Sequence, residues 1–120
     1  MKAELKKLHS PDVNLNTFAP TPPDCFTFFL QAMIGPEGDP AEEAFNFQVC
    51  TPKWLIKNRD FEESVIFGTH MLLVFEYDFL AIEKSIRTLC NRSAGQNWQE
   101  IAQKLSRFGA WEFEDYRMKI

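Results

Sequence analysis

Residues 25–51 read CFTFFLQAMIGPEGDPAEEAFNFQVCT, and two parts of this stretch place apolar side chains at every second position. In the first part, 25–34, these residues are Phe26, Phe28, Leu30, Ala32 and Ile34. In the second part, 44–51, they are Phe45, Phe47 and Val49, with Asn46, Gln48 and Cys50 on the opposite face. Because successive side chains of a strand point to opposite faces, both parts are predicted to be strands with one buried face. The roughly ten residues between them are predicted to connect two adjacent antiparallel strands.

The chain on either side of this pair supplies the other predicted elements. Residues 2–9 alternate weakly and carry lysines, which predicts a short edge strand. Residues 10–24 contain four of the seven prolines and are predicted to form a loop. Thr51-Pro52 matches the N-cap and first position of a short helix, and residues 58–69 are expected to be a connection. Residues 70–77, HMLLVFEY, are almost continuously apolar, which predicts a central strand covered on both faces.

Two helices are predicted to follow these strands. Asp78 can cap the first, whose apolar stripe consists of Leu80, Ile82, Ile86, Leu89 and Cys90. Asn97 and Glu100 form a capping-box arrangement at the start of the second. Its apolar residues are Ile101, Leu105 and Phe108, and Gly109 is expected at C′. This order predicts a single α+β domain over residues 1–120, with an antiparallel sheet of about four strands and two C-terminal helices on one face.

Charge is unevenly distributed along the chain. The net charge is −4, but residues 9–51 contain six carboxylates and no Lys or Arg. Nucleic-acid binding depends on Lys and Arg that contact phosphates, so this acidic half argues against nucleic acid as a partner. The charge is compatible with a basic protein partner, and also with a solvated face that only favours solubility.

Two features of the sequence favour the cytoplasm as the compartment of this protein. No apolar run approaches the roughly 20 residues that cross a bilayer, and the N-terminal MKAELKKLHS lacks the apolar segment of a signal peptide. We therefore expect a cytoplasmic protein that does not contact a membrane. The three cysteines are odd in number and form no C-x-x-C, so they are expected to be reduced and mostly packed in the fold.

Motifs for catalysis or cofactor binding are missing from the sequence. The glycines of IGPEGDP are not followed by the Lys that a phosphate-binding loop needs, and the carboxylates lack the spacing of an EF-hand. The two histidines, His9 and His70, have no partner at a spacing that suggests a triad. We therefore expect no enzyme activity, no cofactor and no metal, with an irregular Ca²⁺ site in the loop as a minor alternative. These features are typical of a binding protein.

Three segments carry a resemblance to a known family. They are IGPEGDPAEEAFNFQVCTPKWL (34–55), HMLLVFEYDF (70–79) and NWQEIAQKLSRFGAWEFEDY (97–116). In their order and spacing they resemble the immunity protein 8 family of bacterial polymorphic toxin and contact-dependent growth inhibition systems. The resemblance implies a non-enzymatic cytoplasmic protein that binds and neutralises the C-terminal domain of a cognate toxin. Many toxins of these systems are nucleases, and a basic nuclease would suit an acidic inhibitor.

The resemblance and the charge together suggest a toxin-binding surface. Its carboxylates would be Glu37, Asp39, Glu42, Glu43, Glu112, Glu114 and Asp115. Trp111 or Tyr116 could supply an aromatic anchor, since hot spots favour Trp and Tyr, although Trp111 could equally be a core residue. Two other interpretations stay open. One is an acidic adaptor or regulatory domain that binds a different basic protein, and the other is a small-molecule-binding domain or cryptic enzyme with a deep pocket.

Overall fold

The computed structural model describes residues 1–60 and 62–114. The chain forms β1 (Ala3–His9), β2 (Thr27–Pro36), β3 (Glu43–Cys50), α1 (Pro52–Asn58), β4 (Met71–Leu73), α2 (Phe79–Arg92), α3 (Trp98–Leu105) and β5 (Ala110–Trp111). The predicted α+β class is confirmed: a mostly antiparallel sheet of five strands is combined with three helices, two of them C-terminal.

The sheet is an antiparallel meander extended by two short strands. β1 pairs with β2, and β2 pairs with β3 in a register that sets Leu30 opposite Phe47 and Ile34 opposite Glu43. On its other edge β3 pairs with both remaining strands, with β4 in parallel at Gln48–Cys50 and with β5 antiparallel at Phe45–Asn46. β4 and β5 therefore share one edge of β3 and lie at its opposite ends.

The core fills the space between one face of the sheet and the two C-terminal helices. The alternating residues of β2 and β3 are buried as predicted, with Leu30, Ala32, Ile34 and Val49 at 0% exposure. α2 contributes Ile82, Ile86 and Cys90 to the same cluster, and α3 contributes Ile101, Ala102 and Leu105. Because the helix spacing of i, i+4, i+8 places the three α2 residues on one face, that helix lies with a continuous apolar stripe against the sheet.

The loop between β1 and β2 closes one end of the core. Phe18 of this loop packs edge-on against Phe26, Phe28 and Tyr77, with ring centroids 4.9–5.5 Å apart. The Tyr77 hydroxyl donates a hydrogen bond to the Leu15 carbonyl. Edge-to-face aromatic pairs stabilise beyond their buried area, so this cluster explains how a loop rich in proline is held in place.

The helix starts follow the predicted caps. The Thr51 hydroxyl accepts from the backbone N–H of Trp54 and also from that of Phe26, each at 3.2 Å. Asp78 accepts from Ala81, and Asn97 accepts from Glu100. Each side chain thus satisfies a backbone donor that the first helical turn leaves unpaired.

The prediction of a central strand over 70–77 is wrong. Only Met71–Leu73 form a strand, which pairs on one side with β3, and the side chains of Leu73 and Phe75 are 53% and 79% exposed. A continuous apolar run does not distinguish a strand buried on both faces from an edge segment that presents apolar side chains to solvent.

Four smaller expectations also differ from the structure. Cys50 is fully buried instead of facing outward, between Thr27 of β2 and Leu73 of β4 in the ladder. Leu80 is 72% exposed because it lies about 200° around the helix from Ile82. Phe108 is 46% exposed because α3 ends at Leu105, and Gly109 is therefore not its C′ residue. A Cβ at Gly109 would lie 2.7 Å from the Phe47 ring, which gives this glycine a packing role.

Candidate functional site

The acidic connection between β2 and β3 is shorter and tighter than the sequence suggested. Because the strands extend to Pro36 and begin again at Glu43, the turn consists of residues 37–42. Gly38 has φ +80°, a conformation that favours glycine. At Gly35 a Cβ would lie 1.8 Å from the Ala41 carbonyl oxygen, so the two sides of the turn can approach only because this residue is glycine.

β1 fixes this turn from its flank. The Lys6 ammonium donates to the carbonyl oxygens of Asp39 at 2.6 Å and Pro36 at 3.2 Å, and it also bonds the Glu4 carboxylate at 2.8 Å. Glu4 in turn accepts from the backbone N–H of Gly38 at 3.1 Å. The hydrogen bonds from Lys6 and Gly38 lower the pKa of Glu4, since both favour its ionised form. The turn is therefore held in one conformation by polar contacts with a neighbouring strand.

Three of the predicted carboxylates are presented to solvent by this turn. Glu37, Asp39 and Glu42 are all exposed. Asp39 accepts the Ala41 backbone N–H at 2.8 Å, which fixes its side chain within the turn. Within residues 1–60 and 62–114, none of the three forms an ion pair. Their carboxylates therefore face solvent on a turn that Glu4 and Lys6 hold in place.

Glu43 has a different environment from the other loop carboxylates. It is half-buried at the start of β3, and its Oε1 accepts two indole N–H groups, from Trp98 of α3 at 2.8 Å and from Trp111 of β5 at 2.9 Å. The Trp111 ring is 7% exposed and stacks on Phe45 with a centroid separation of 6.3 Å. Glu43 and Trp111 therefore connect the acidic turn to the C-terminal half of the fold.

The predicted C-terminal carboxylates lie beside the turn where the structure describes them. Glu112 and Glu114 are exposed, and the backbone of Glu112 pairs with that of Ala44 next to Glu43. The Glu112 side chain also accepts the Ala44 N–H at 2.7 Å. Asp115 and Tyr116 lie outside the described residues. The fold thus brings Glu37, Asp39, Glu42, Glu112 and Glu114 to the same end of the sheet, and we call these five residues the acidic surface.

The His and Cys side chains of the described part of the chain include two with structural surroundings that bear on reactivity, His70 and Cys90. There, no group of three or more His, Cys, Asp or Glu is arranged to hold a metal ion. His70, at φ +60°, has its Nε2 3.0 Å from the Ser106 carbonyl oxygen, a structural contact. Burial raises the pKa of the Cys50 and Cys90 thiols, the latter to about 11, which opposes formation of a nucleophilic thiolate.

The sequence analysis did not predict the exposed apolar side chains of β4 and of the segments that precede and follow it. Large apolar side chains with more than half of their area exposed include Val65, Phe67, Leu73, Phe75 and Leu80. The sequence does hold a signal for them: residues 60–80 combine these side chains with five carboxylates and contain no Lys or Arg. Such a composition suits neither a buried strand nor a simple solvated connection.

The fold and this site define a class of protein: an acidic α+β domain whose exposed carboxylates and exposed apolar side chains are typical of a protein-binding surface. Residues 3–116 match the family model described as Immunity protein 8, and the chain belongs to this family of immunity proteins of polymorphic toxin systems, which are not enzymes. No curated protein and no solved structure matched the chain. None of the helices within the described ranges is long and apolar enough to span a bilayer.

Proposed function

We propose that this protein neutralises its cognate toxin by binding the toxin's C-terminal domain and occluding the surface with which that domain acts. Membership of the immunity protein 8 family supports a toxin as the partner. We propose further that the toxin is delivered by secretion or by contact, that it is a nuclease, and that neutralisation takes place in the bacterial cytoplasm. A nuclease holds phosphates with Lys and Arg and therefore offers a basic surface to an acidic inhibitor.

In this proposal the acidic surface faces the toxin. The observation that carries this is the presentation of Glu37, Asp39 and Glu42, exposed and without ion pairs in the described residues, on a turn fixed by Glu4 and Lys6. A fixed turn loses little conformational entropy on binding, which favours affinity. Glu43 and Trp111 would support this surface from within the fold, because their polar atoms already bond each other.

Charge complementarity makes a specific kinetic prediction for such a complex. Opposite charges on the two surfaces accelerate encounter, and the acceleration decreases as salt screens the charges. We expect the association rate with the toxin domain to fall by about tenfold between 50 mM and 500 mM NaCl, with a much smaller change in the dissociation rate.

The first experiment tests the function itself. The chain is co-expressed with the C-terminal domain of the polymorphic toxin encoded next to its gene, the domain carrying an inactivating substitution, and one partner is purified by affinity tag. We expect a stoichiometric complex, and the wild-type chain should restore growth of cells that express the active toxin. If the chain neither co-purifies with such a domain nor restores growth, the proposed function is wrong, and an adaptor for another basic protein becomes the better interpretation.

The second experiment tests the acidic surface with a charge-matched control. Glu37→Lys with Glu42→Lys reverses two exposed carboxylates of the surface, and Glu62→Lys with Glu63→Lys makes the same change of net charge elsewhere. We expect the first pair to weaken toxin binding at least 30-fold in surface plasmon resonance, mainly through slower association, and the second pair to weaken it less than threefold. Equal effects of the two pairs would mean that only net charge matters.

A further inference from the structure

A long groove runs between β4 and α2 on the helix side of the sheet. It consists of two adjoining cavities of about 520 Å³ and about 480 Å³, which share Leu72 and Ser85. The floor and walls of the larger cavity include the apolar side chains of Phe47, Met71 and Leu89. Since α2 has 14 residues, the groove extends along about 20 Å of helix.

The mouth of the groove is bordered by exposed apolar side chains. Phe67 is 90% exposed at the larger cavity, and Phe75 is 79% exposed at the smaller one. Phe108 and Leu73 add further exposed apolar area, at 46% and 53%. Soluble proteins rarely leave so many large apolar groups together in water, and such patches commonly mark protein interfaces.

The two ends of the groove carry opposite charges. Glu76 and Asp78 line the smaller cavity at the N-terminal end of α2, whereas Arg92 and Arg107 line the larger cavity at its C-terminal end. Within the described chain neither arginine forms an ion pair or a side-chain hydrogen bond. An occupant would therefore match the groove best if it were apolar along its length, cationic at one end and anionic at the other.

We propose that this groove receives an apolar segment of the cognate toxin domain, with a basic side chain toward Glu76 and a carboxylate toward Arg92 and Arg107. The proposal rests on the proposed function and adds a second contact with the same partner, at a place separate from the acidic surface. At the groove itself, the apolar side chains would supply most of the affinity, and the charged residues at its two ends would supply specificity.

A partner fits this surface better than a second copy of the chain does. The groove is concave, so its occupant must offer a convex apolar element, and a second copy paired through a two-fold axis would offer only the side chains that border its own groove. A convex helix or strand from another protein can fill about 500 Å³ with three or four apolar side chains, and helix-in-groove recognition works in this way. The opposite charges at the two ends would then fix the direction in which the segment lies.

The central test fills the groove where its two cavities meet. Ser85 is exposed and belongs to both cavities, so Ser85→Trp should block the groove without disturbing the core. Gln99→Trp introduces the same side chain at an exposed helical position that lines neither cavity. With the purified, inactivated toxin domain, isothermal titration calorimetry should show at least a 100-fold loss of affinity for Ser85→Trp and less than a threefold loss for Gln99→Trp. Circular dichroism and thermal melting verify that both variants are folded.

A second pair of variants removes apolar area without adding bulk. Phe67→Ser deletes an exposed ring at the groove, and Ile56→Ser deletes an apolar side chain of 71% exposure on α1 that lines neither cavity. We expect at least a tenfold loss of toxin affinity for Phe67→Ser and no measurable loss for Ile56→Ser.

The outcomes separate this proposal from the proposed function. If the wild-type chain binds the toxin domain and Ser85→Trp binds it equally well, the groove is not part of the interface, although the proposed function stands. If the wild-type chain binds no toxin domain, the proposed function itself fails. A wild-type dimer in light scattering that becomes a monomer in Ser85→Trp would identify a second copy as the occupant and overturn the proposal.

Discussion

The two indole hydrogen bonds to Glu43 make this residue the strongest single test of how the start of β3 is joined to the C-terminal part of the fold. Replacing it in Glu43→Ala leaves the N–H groups of Trp98 and Trp111 without their acceptor, and the Trp111 ring is only 7% exposed. Glu43→Gln keeps an oxygen at the same place but removes the charge. Glu42→Ala is the matched control, because Glu42 is exposed and makes no side-chain hydrogen bond within the described residues.

The expected cost follows from the two contacts. A hydrogen bond to a charged acceptor contributes about 1.5–3 kcal/mol, which sets an upper range of about 3–6 kcal/mol for two. Glu43 and Trp98 are half-buried, so water compensates for part of the loss. We therefore expect Glu43→Ala to lower the free energy of unfolding by about 3 kcal/mol, Glu43→Gln by about 1 kcal/mol, and Glu42→Ala by less than about 0.5 kcal/mol.

Chemical denaturation monitored by tryptophan fluorescence measures these differences directly. In a domain of this size about 3 kcal/mol corresponds to a fall in Tm of about 12 °C. The emission of native Glu43→Ala should also shift to longer wavelength, since two indoles lose a partner and gain water. If the free energies of unfolding of Glu43→Ala and Glu42→Ala differ by less than about 0.5 kcal/mol, the two indole hydrogen bonds do not stabilise the fold as argued, and the reasoning is wrong.

Three further predictions concern glycine, a buried hydroxyl and the cysteines. Gly35→Ala should destabilise the protein by about 3 kcal/mol in thermal melting, because the new Cβ would clash with the Ala41 carbonyl oxygen. Gly38→Ala should destabilise it by about 1 kcal/mol, because only the positive φ opposes the substitution there. Thr51→Val removes the acceptor for two backbone N–H groups and should lower the free energy of unfolding by about 2 kcal/mol. Thr51→Ser keeps the hydroxyl and should lower it by less than half of that. Equal losses in the two variants would contradict the hydrogen-bond explanation. Burial raises the pKa of the Cys90 thiol to about 11, so its thiolate is scarce at neutral pH and forms only as the pH approaches that value. Iodoacetamide at pH 8 should therefore modify half-buried Cys25 well before Cys90, and mass spectrometry of the native protein would show the reverse order if this argument failed.

The sheet and the helix starts could be predicted because their signals are local. Phe45 and Phe47 alternate with Asn46 and Gln48, and a period of two has no other common explanation than a strand with one covered face. Thr51 and Asp78 precede their helices directly, and capping depends on atoms within three residues. These elements can therefore be predicted without knowing which residues from other parts of the chain contact them.

The environment of β4 could not be predicted in the same way. The side chains of Leu73 and Phe75 are apolar, yet they are exposed because the fold places them at an edge of the sheet and not in its centre. The local sequence pattern does not indicate this position. Burial at Cys50 likewise depends on strands β2 and β4 that flank it. The hydrophobicity of a side chain favours its burial, but it does not show whether residues of the same chain or of a binding partner bury it.

The candidate site was only partly visible in the sequence. The exposed carboxylates of Glu37 and Glu42 follow from their place in a turn between two strands. The hydrogen bonds of Glu43 do not, because they connect residues 55 and 68 positions apart. The groove depends on how α2 packs against the sheet, and its two cavities combine residues from four separate stretches of the chain: Phe47, 67–78, 81–92 and 107–108.

The bond between Glu43 and Trp111 also has a consequence for protein synthesis. Ribosomes add about 5–20 residues per second, so Trp111 emerges several seconds after Glu43, 68 positions earlier in the chain. A nascent chain that already contains the turn residues Glu37 and Glu42 therefore still lacks the contact between the start of β3 and β5. This contact can form only when synthesis of the chain is nearly complete, so we expect it among the last contacts of the fold to form.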